Sequence, residues 1–247
     1  MRSDQPPGKI LSETPAVPSH PRLEHLLAAM PLPGFDVVTV SHPARPEVEA
    51  YVRQRFARAY RAEVREFLPW LLTLHCGDHL SAVMGLRPAT AGRLQVERYL
   101  DRPIDRELTA MSGMPVRRDE VLEIGNLVSG WRGSSQLLML LLPVLAQGLG
   151  YRWLVFTATG EVQKLIGRLR FSPFTLCRAD GGRLGAEQAQ WGSYYSTDPQ
   201  VMAGFLPDAC AHLRGHRLLG PLAAAYQPHV DRLLALLATE EPPHDPA

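Results

Sequence analysis

VLEIGNLVSGWRGSS, residues 121–135, passes from an apolar run into a glycine loop and then into the start of a helix. Val121–Val128 is the clearest strand signal in the chain, and an apolar helix is expected from Ser134 to Gly148. A helix start leaves backbone N–H groups unpaired at the positive end of its dipole, which suits phosphate or pyrophosphate. Arg132 would add a charged contact, Gly133 would let the backbone approach closely, and Ser134 and Ser135 open the helix. The same stretch also reads as a plain strand–turn–helix with serine as the cap. Glu123 is an acid inside an apolar strand and needs either a partner or a task. It is a structural acid paired with an arginine or a general base with a raised pKa. Glu123 and Asn126 are three apart, so unbroken alternation puts them on opposite faces.

Upstream, Asp36–Val40 is a short β-branched run, and Pro46–Tyr60 has helical spacing with Val48, Tyr51, Val52, Phe56 and Tyr60 on one face. Leu71–His75 and His79–Leu86 read as antiparallel strands joined by a Cys-Gly-Asp turn. Arg93–Leu100 is a strand or a short helix, and Pro103–Met111 is helical. Downstream, Tyr151–Thr157 is a strand, Glu161–Leu169 a helix, Phe171–Arg178 a strand and Asp180-Gly181-Gly182 a turn. A helical region is expected after Asp198, ending in an amphipathic helix near Pro228–Leu237. A helix between Val121–Val128 and Tyr151–Thr157 implies a parallel crossover, and the upstream pairs make the sheet mixed. Thr157 and Thr159 end a strand where a cleft can open, though Thr159 also suits a helix cap. Trp191–Tyr195, WGSYY, offers Tyr194 as a proton donor to a leaving thiolate or as ordinary aromatic packing.

The chain has 247 residues, 26 Lys+Arg against 25 Asp+Glu, and a formal net charge of +1. Such a balance gives no field to gather nucleic acid or anionic lipid in general. Cys76, Cys177 and Cys210 are odd in number and widely spaced, as reduced thiols in a cytoplasmic protein would be. The pairs His75/His79 and His212/His216 lack a third metal ligand at a telling distance. Residues 1–33 read as a disordered lead-in with a helical stretch at Arg22–Met30, without the apolar core of a signal peptide. Leu137–Leu149 is interrupted by Pro143, Gln147 and Gly148 and is too short to span a bilayer comfortably. No nucleotide-binding glycine fingerprint, phosphate loop or nucleophile elbow occurs.

VERYLDRPID, EIGNLVS, the loop Gly130-Trp131-Arg132-Gly133, FTATGEVQKLIGRLRFSP and WGSYYSTDPQVMAGFL together resemble the thermostable hemolysin family, over roughly Val38 to Leu206 and in the family's order. That family in turn looks like a distant relative of the acyl-homoserine-lactone synthases and GNAT acyltransferases. The resemblance implies an α/β fold: a mixed, splayed GNAT-like sheet flanked by helices, with a helical C-terminal extension. The implied boundaries are a flexible segment at 1–35, the acyltransferase domain at 36–205, and a helical extension and tail at 206–247. It further implies that Leu127 and Val128 present backbone groups to a pantetheine arm and that Arg132, Gly133, Ser134 and Ser135 hold phosphate, with Thr157 at the cleft. The synthases carry an E-x-x-R frame on this strand; here Glu123 matches and Asn126 replaces the arginine with a neutral amide, which argues against homoserine lactone itself. The loop also keeps only part of the Q/R-x-x-G-x-G/A pattern, so an acyl carrier protein is as suitable a donor as coenzyme A.

The expectation is therefore an N-acyltransferase moving an acyl group from acyl-CoA or acyl-phosphopantetheine to a small-molecule amine, with Glu123, Asn126 and Tyr194 as catalytic residues. No tightly bound cofactor, metal, nucleic acid or membrane is expected as a partner, and a C-terminal helix offers a homodimer contact. Two other readings stay open: a membrane-active hemolysin using Leu137–Leu149, and a non-catalytic acyl-binding protein of the same fold.

Overall fold

The computed structural model describes residues 33–130 and 133–239. The helical stretch at Arg22–Met30, the tail from residue 240, and Trp131 and Arg132 lie outside them. Among the described residues seven strands form one sheet in the order β1-β2-β3-β4-β5-β7-β6: β1 (Gly34–Val38), β2 (Trp70–Cys76), β3 (His79–Pro88), β4 (Val121–Ser129), β5 (Trp153–Ala158), β6 (Phe174–Arg178) and β7 (Gln200–Phe205). Only β4 and β5 are parallel, joined by the helix α3 (Ser134–Gly148); every other pair is antiparallel. This is the expected mixed sheet. One expectation fails: the stretch after Asp198 is not helical at first. Gln200–Phe205 is a strand inserted between β5 and β6, because Val201 and Ala203 bury on one face while Met202 buries on the other. That alternation is the period of a strand, not of a helix. Arg93–Leu100 contains only a 3-10 turn at Val96–Arg98.

On one face the main core packs α3 together with α4 (Gly160–Arg168), α5 (Leu206–Gly215), α6 (Leu219–Ala225) and α7 (Gln227–Ala238) against Leu72, Met84, Leu122, Ile124 and Phe156. Leu138, Met139, Leu140, Leu141, Leu142 and Leu145 of α3 are all buried, so the apolar run is used up as core. No helix among the described residues is long and apolar enough to cross a membrane. On the other face α1 (Arg45–Tyr60) lays Val48, Val52 and Phe56 on Leu71, Val83 and Val128. Beside it, α2 (Ile104–Ser112) and the turns before it cover Val121, Val155, Val201 and Ala203.

Two irregularities make the site. The β4–β5 pairing ends at Ile124↔Phe156 although both strands run on, so the sheet splays and, among the described residues, one edge of β4 has no strand partner beyond Ile124. The register with β3 also shifts between Gly85↔Gly125 and Val83↔Val128, leaving one extra residue on β4. That is a β-bulge, centred on Asn126 at φ 47.

Candidate active site at the splay

The gap between β4 and β5 opens into a cavity of about 140 Å³ lined by Glu123, Asn126, Leu127, Thr157, Thr159 and Tyr194, with Tyr60, Met84, Arg87, Tyr99 and Trp191 around them. Glu123 is 2% exposed. Its Oε1 accepts the Val96 N–H at 2.8 Å, and its Oε2 is buried with no hydrogen-bond partner among the described residues. Burial pushes its pKa up to about 7; the Val96 and Gln95 N–H groups and Arg87 pull the other way. A carboxyl poised near neutrality can take a proton and give it up again. The nearby Glu97 shows the contrast. Burial alone would raise it, but Arg118 at 2.5 Å and the Ile104 and Leu94 N–H groups outweigh burial and hold it below the ordinary carboxylate value. Glu97 is thus the structural acid, and Glu123 has no arginine partner among the described residues.

Asn126 is not on the opposite face from Glu123. Its Oδ1 lies only 2.8 Å from where a Cβ on Gly85 would stand, and Gly85 faces the same way as Arg87 and Glu123. The extra residue of the bulge cancels one alternation, so both residues line one cavity. Asn126 spends its amide on the overlying segment: Oδ1 accepts Leu68 N–H at 2.9 Å and Nδ2 donates to Glu66 O at 3.3 Å. Buried Arg45 holds that segment from the far end, donating to Leu68 O and Pro69 O, each at 2.8 Å. Gly85 leaves room for this roof, since a Cβ would come within 2.9 Å of Leu68 Cβ.

Tyr194 is buried in an aromatic cluster with Phe56, Tyr60 and Trp191. Burial pushes its phenol far up, so it stays protonated as a donor. Its neighbour Tyr195 instead meets the Tyr99 hydroxyl at 2.5 Å. The segment docks on α1 through Ser193 N–H to Tyr60 O at 2.8 Å, and Gly192, at φ 52, admits no Cβ because Tyr60 O occupies that space. Thr159 occupies the cap position of α4 without making a capping bond; its hydroxyl is buried.

At the other mouth, Gly133 caps α3 at φ 96 with no side-chain cap, so Ser134 is the first helical residue rather than the cap. Ser134 is buried, and Ser135 Oγ meets Ser129 Oγ at 3.4 Å. Val128 packs into the core beside α1 rather than into the cavity. The reading of Arg132 as a phosphate ligand falls outside the described residues. Arg55, which sequence pattern did not single out, sits there: its guanidinium lies 5.0 Å over the Tyr51 ring and fills the space a Cβ on Gly130 would need. A second cavity of about 250 Å³ adjoins the first through Ile124, Met139 and Phe156. It is lined mostly by apolar groups, with Arg170, Asp208 and His212 among the rest. No cluster of three or more metal-ligating side chains occurs among the described residues.

The family model for thermostable hemolysin matches residues 38–210. No curated protein matches. Among solved structures, the chain is similar to TofI, crystallised in a ternary complex with an inhibitor and MTA, with TM-score 0.51 and 13% identity over 75% of this chain and 99% of that one. Fainter likenesses include BjaI, a CoA-dependent acyl-homoserine lactone synthase with SAM and isopentyl-CoA, at TM-score 0.49 and 11% identity over 85% of this chain and 92% of that one. FeeM, an N-acyl amino acid synthase from uncultured soil microbes, has TM-score 0.47 and 13% identity over 73% of this chain and 95% of that one. At these identities the likeness is one of fold.

Proposed function

The chain belongs to the thermostable hemolysin family, and we propose that it transfers an acyl group from a pantetheine thioester to a small-molecule amine. The observation that carries this is Glu123: a buried carboxyl with one unpartnered oxygen, its pKa pushed up to about 7, at the point where a parallel strand pair splays open. A pantetheine arm has amide groups to pair with the free edge of β4 beyond Ile124, and an N–H of that edge near Leu127 would stabilise the charge that develops on the thioester oxygen. The amine attacks the thioester carbonyl, the C–N bond forms and the C–S bond breaks. Glu123 accepts the proton the nitrogen loses and returns it to water, and Tyr194 supplies one to the departing thiolate before being reprotonated from water. The apolar second cavity suits the acyl chain. The uncapped start of α3, with Gly133, Ser134 and Ser135 at it and Arg55 beside Gly130, suits the phosphate, and Arg132 precedes it in the sequence. In this reading Asn126 is a positioning residue that holds the roof over the arm, and Thr157 flanks the opening.

Native mass spectrometry after incubation with acyl-CoA and acyl-loaded carrier protein, with thiol release followed in parallel, tests the donor side. A bound pantetheine species and amine-dependent thiol release are expected. No binding and no release with either donor would refute the proposal. A non-catalytic acyl binder would bind thioester yet be indifferent to Glu123→Gln.

A further inference from the structure

Arg87 and Glu123 are directly opposed across β3 and β4, which sets their Cβ atoms about 5 Å apart. Opposite charges so placed ordinarily pair. Here they do not. Arg87 Nη1 donates to Arg93 O at 3.1 Å, and among the described residues the guanidinium meets no carboxylate. Glu123 keeps an unpartnered oxygen. Both side chains line the same cavity, where Arg87 is the only cation among the described residues and Glu66 the other acid. An acceptor carrying an amine alone would engage Glu123 and leave half-buried Arg87, on the same cavity, without an anionic partner among the described residues. An acceptor carrying an amine and a carboxylate answers both, because the planar fork of arginine holds a carboxylate in bidentate fashion. Phe56, Tyr60, Trp191 and Tyr194 line the same cavity, which favours an apolar or aromatic remainder. We propose that the acceptor is an α-amino acid with an apolar or aromatic side chain, its carboxylate bound by Arg87 and its amine presented to Glu123. This rests on the acyltransferase reading and narrows its acceptor.

The test compares matched pairs by titration calorimetry: L-phenylalanine against phenethylamine, and L-leucine against 3-methylbutylamine. In the wild type the amino acid is expected to bind at least tenfold more tightly than its amine. Arg87→Met should erase that preference while amine binding persists, and Arg87→Lys should keep part of it; thermal melts confirm that each variant folds. Equal binding within each pair, an unchanged preference in Arg87→Met, or no binding of the amino acids would overturn the inference. Thiol release with the same acceptors separates the two claims. Release with the amines and not the amino acids refutes the acceptor class alone. Absence of release with any acceptor refutes the acyltransferase reading, while the calorimetry still decides whether Arg87 recognises a carboxylate.

Discussion

Replacing Glu123 by glutamine should disable the protein and change how its stability depends on pH. In the folded chain burial raises this carboxyl to about 7, so the folded state binds its proton more tightly than the unfolded state does. The stabilisation from that proton is complete below the ordinary glutamate range and is lost as pH rises through about 7. At about 1.4 kcal/mol per tenfold change in proton affinity, the loss amounts to about 3 kcal/mol. Glutamine keeps the acceptor for Val96 N–H but leaves an amide NH₂ in place of the unpartnered oxygen, which costs about 1 kcal/mol at every pH. The difference between the two proteins should therefore change sign. Glu123→Gln should be the less stable protein at about pH 4, cross the wild type at about pH 5, and be the more stable by several degrees in Tm above about pH 8, since 1 kcal/mol moves Tm by about 2–4 °C at this size. Thermal melts and urea titrations of both proteins across that range measure it. Parallel pH profiles would refute the reasoning, because they would mean that Glu123 ionises as freely folded as unfolded.

Glu97 should act with the opposite sign: held below the ordinary value by Arg118 and two backbone N–H groups against the effect of burial, it stabilises above the ordinary carboxylate range and loses that stabilisation as pH falls. Arg118→Met should cost about 3 kcal/mol at neutral pH by stranding a buried carboxylate, read as a lowered urea midpoint. Asn126→Ala should cost about 2 kcal/mol, since Leu68 N–H loses its acceptor and a non-glycine residue keeps φ 47; Asn126→Asp, which keeps an acceptor, should cost less in the same denaturation assay. Gly192→Ala should exceed about 3 kcal/mol, because its Cβ overlaps Tyr60 O, and should lower Tm while loosening the Tyr194 wall, seen as raised tyrosine and tryptophan fluorescence accessibility. Vesicles of neutral and anionic lipid should not leak at neutral pH, because Leu138–Leu142 are buried under the sheet; leakage at protein-to-lipid ratios that leave Tm unchanged would contradict this.

The parallel crossover and its helix were legible because a strand pattern, a glycine pair and a fifteen-residue apolar helix follow one another without ambiguity; Ser134–Gly148 begins and ends where the pattern says. The resemblance carried the splay, which no periodicity reveals. β7 was hidden because Val-Met-Ala-Gly is short, mixed in propensity and followed at once by helix. Glu123 was legible as an acid among apolar neighbours, although its freedom from an arginine partner depends on Glu97 capturing Arg118, a pairing of residues far apart in sequence. Asn126 was placed on the wrong face because a bulge leaves no trace in side-chain alternation. Arg87 and Arg55 were invisible as site residues because each is an ordinary arginine until register and packing bring it to the cavity.

The most direct measurement of the central claim is the pH dependence of kcat/KM for amine-dependent thiol release, on the wild type and on Glu123→Gln. The account predicts release from acyl-CoA or acyl carrier protein that rises with pH through about 7 in the wild type, following the free protein's buried carboxyl. It predicts a loss of at least about a hundredfold in the variant. Release that is independent of Glu123, or no amine-dependent release from either donor at any pH, would contradict it.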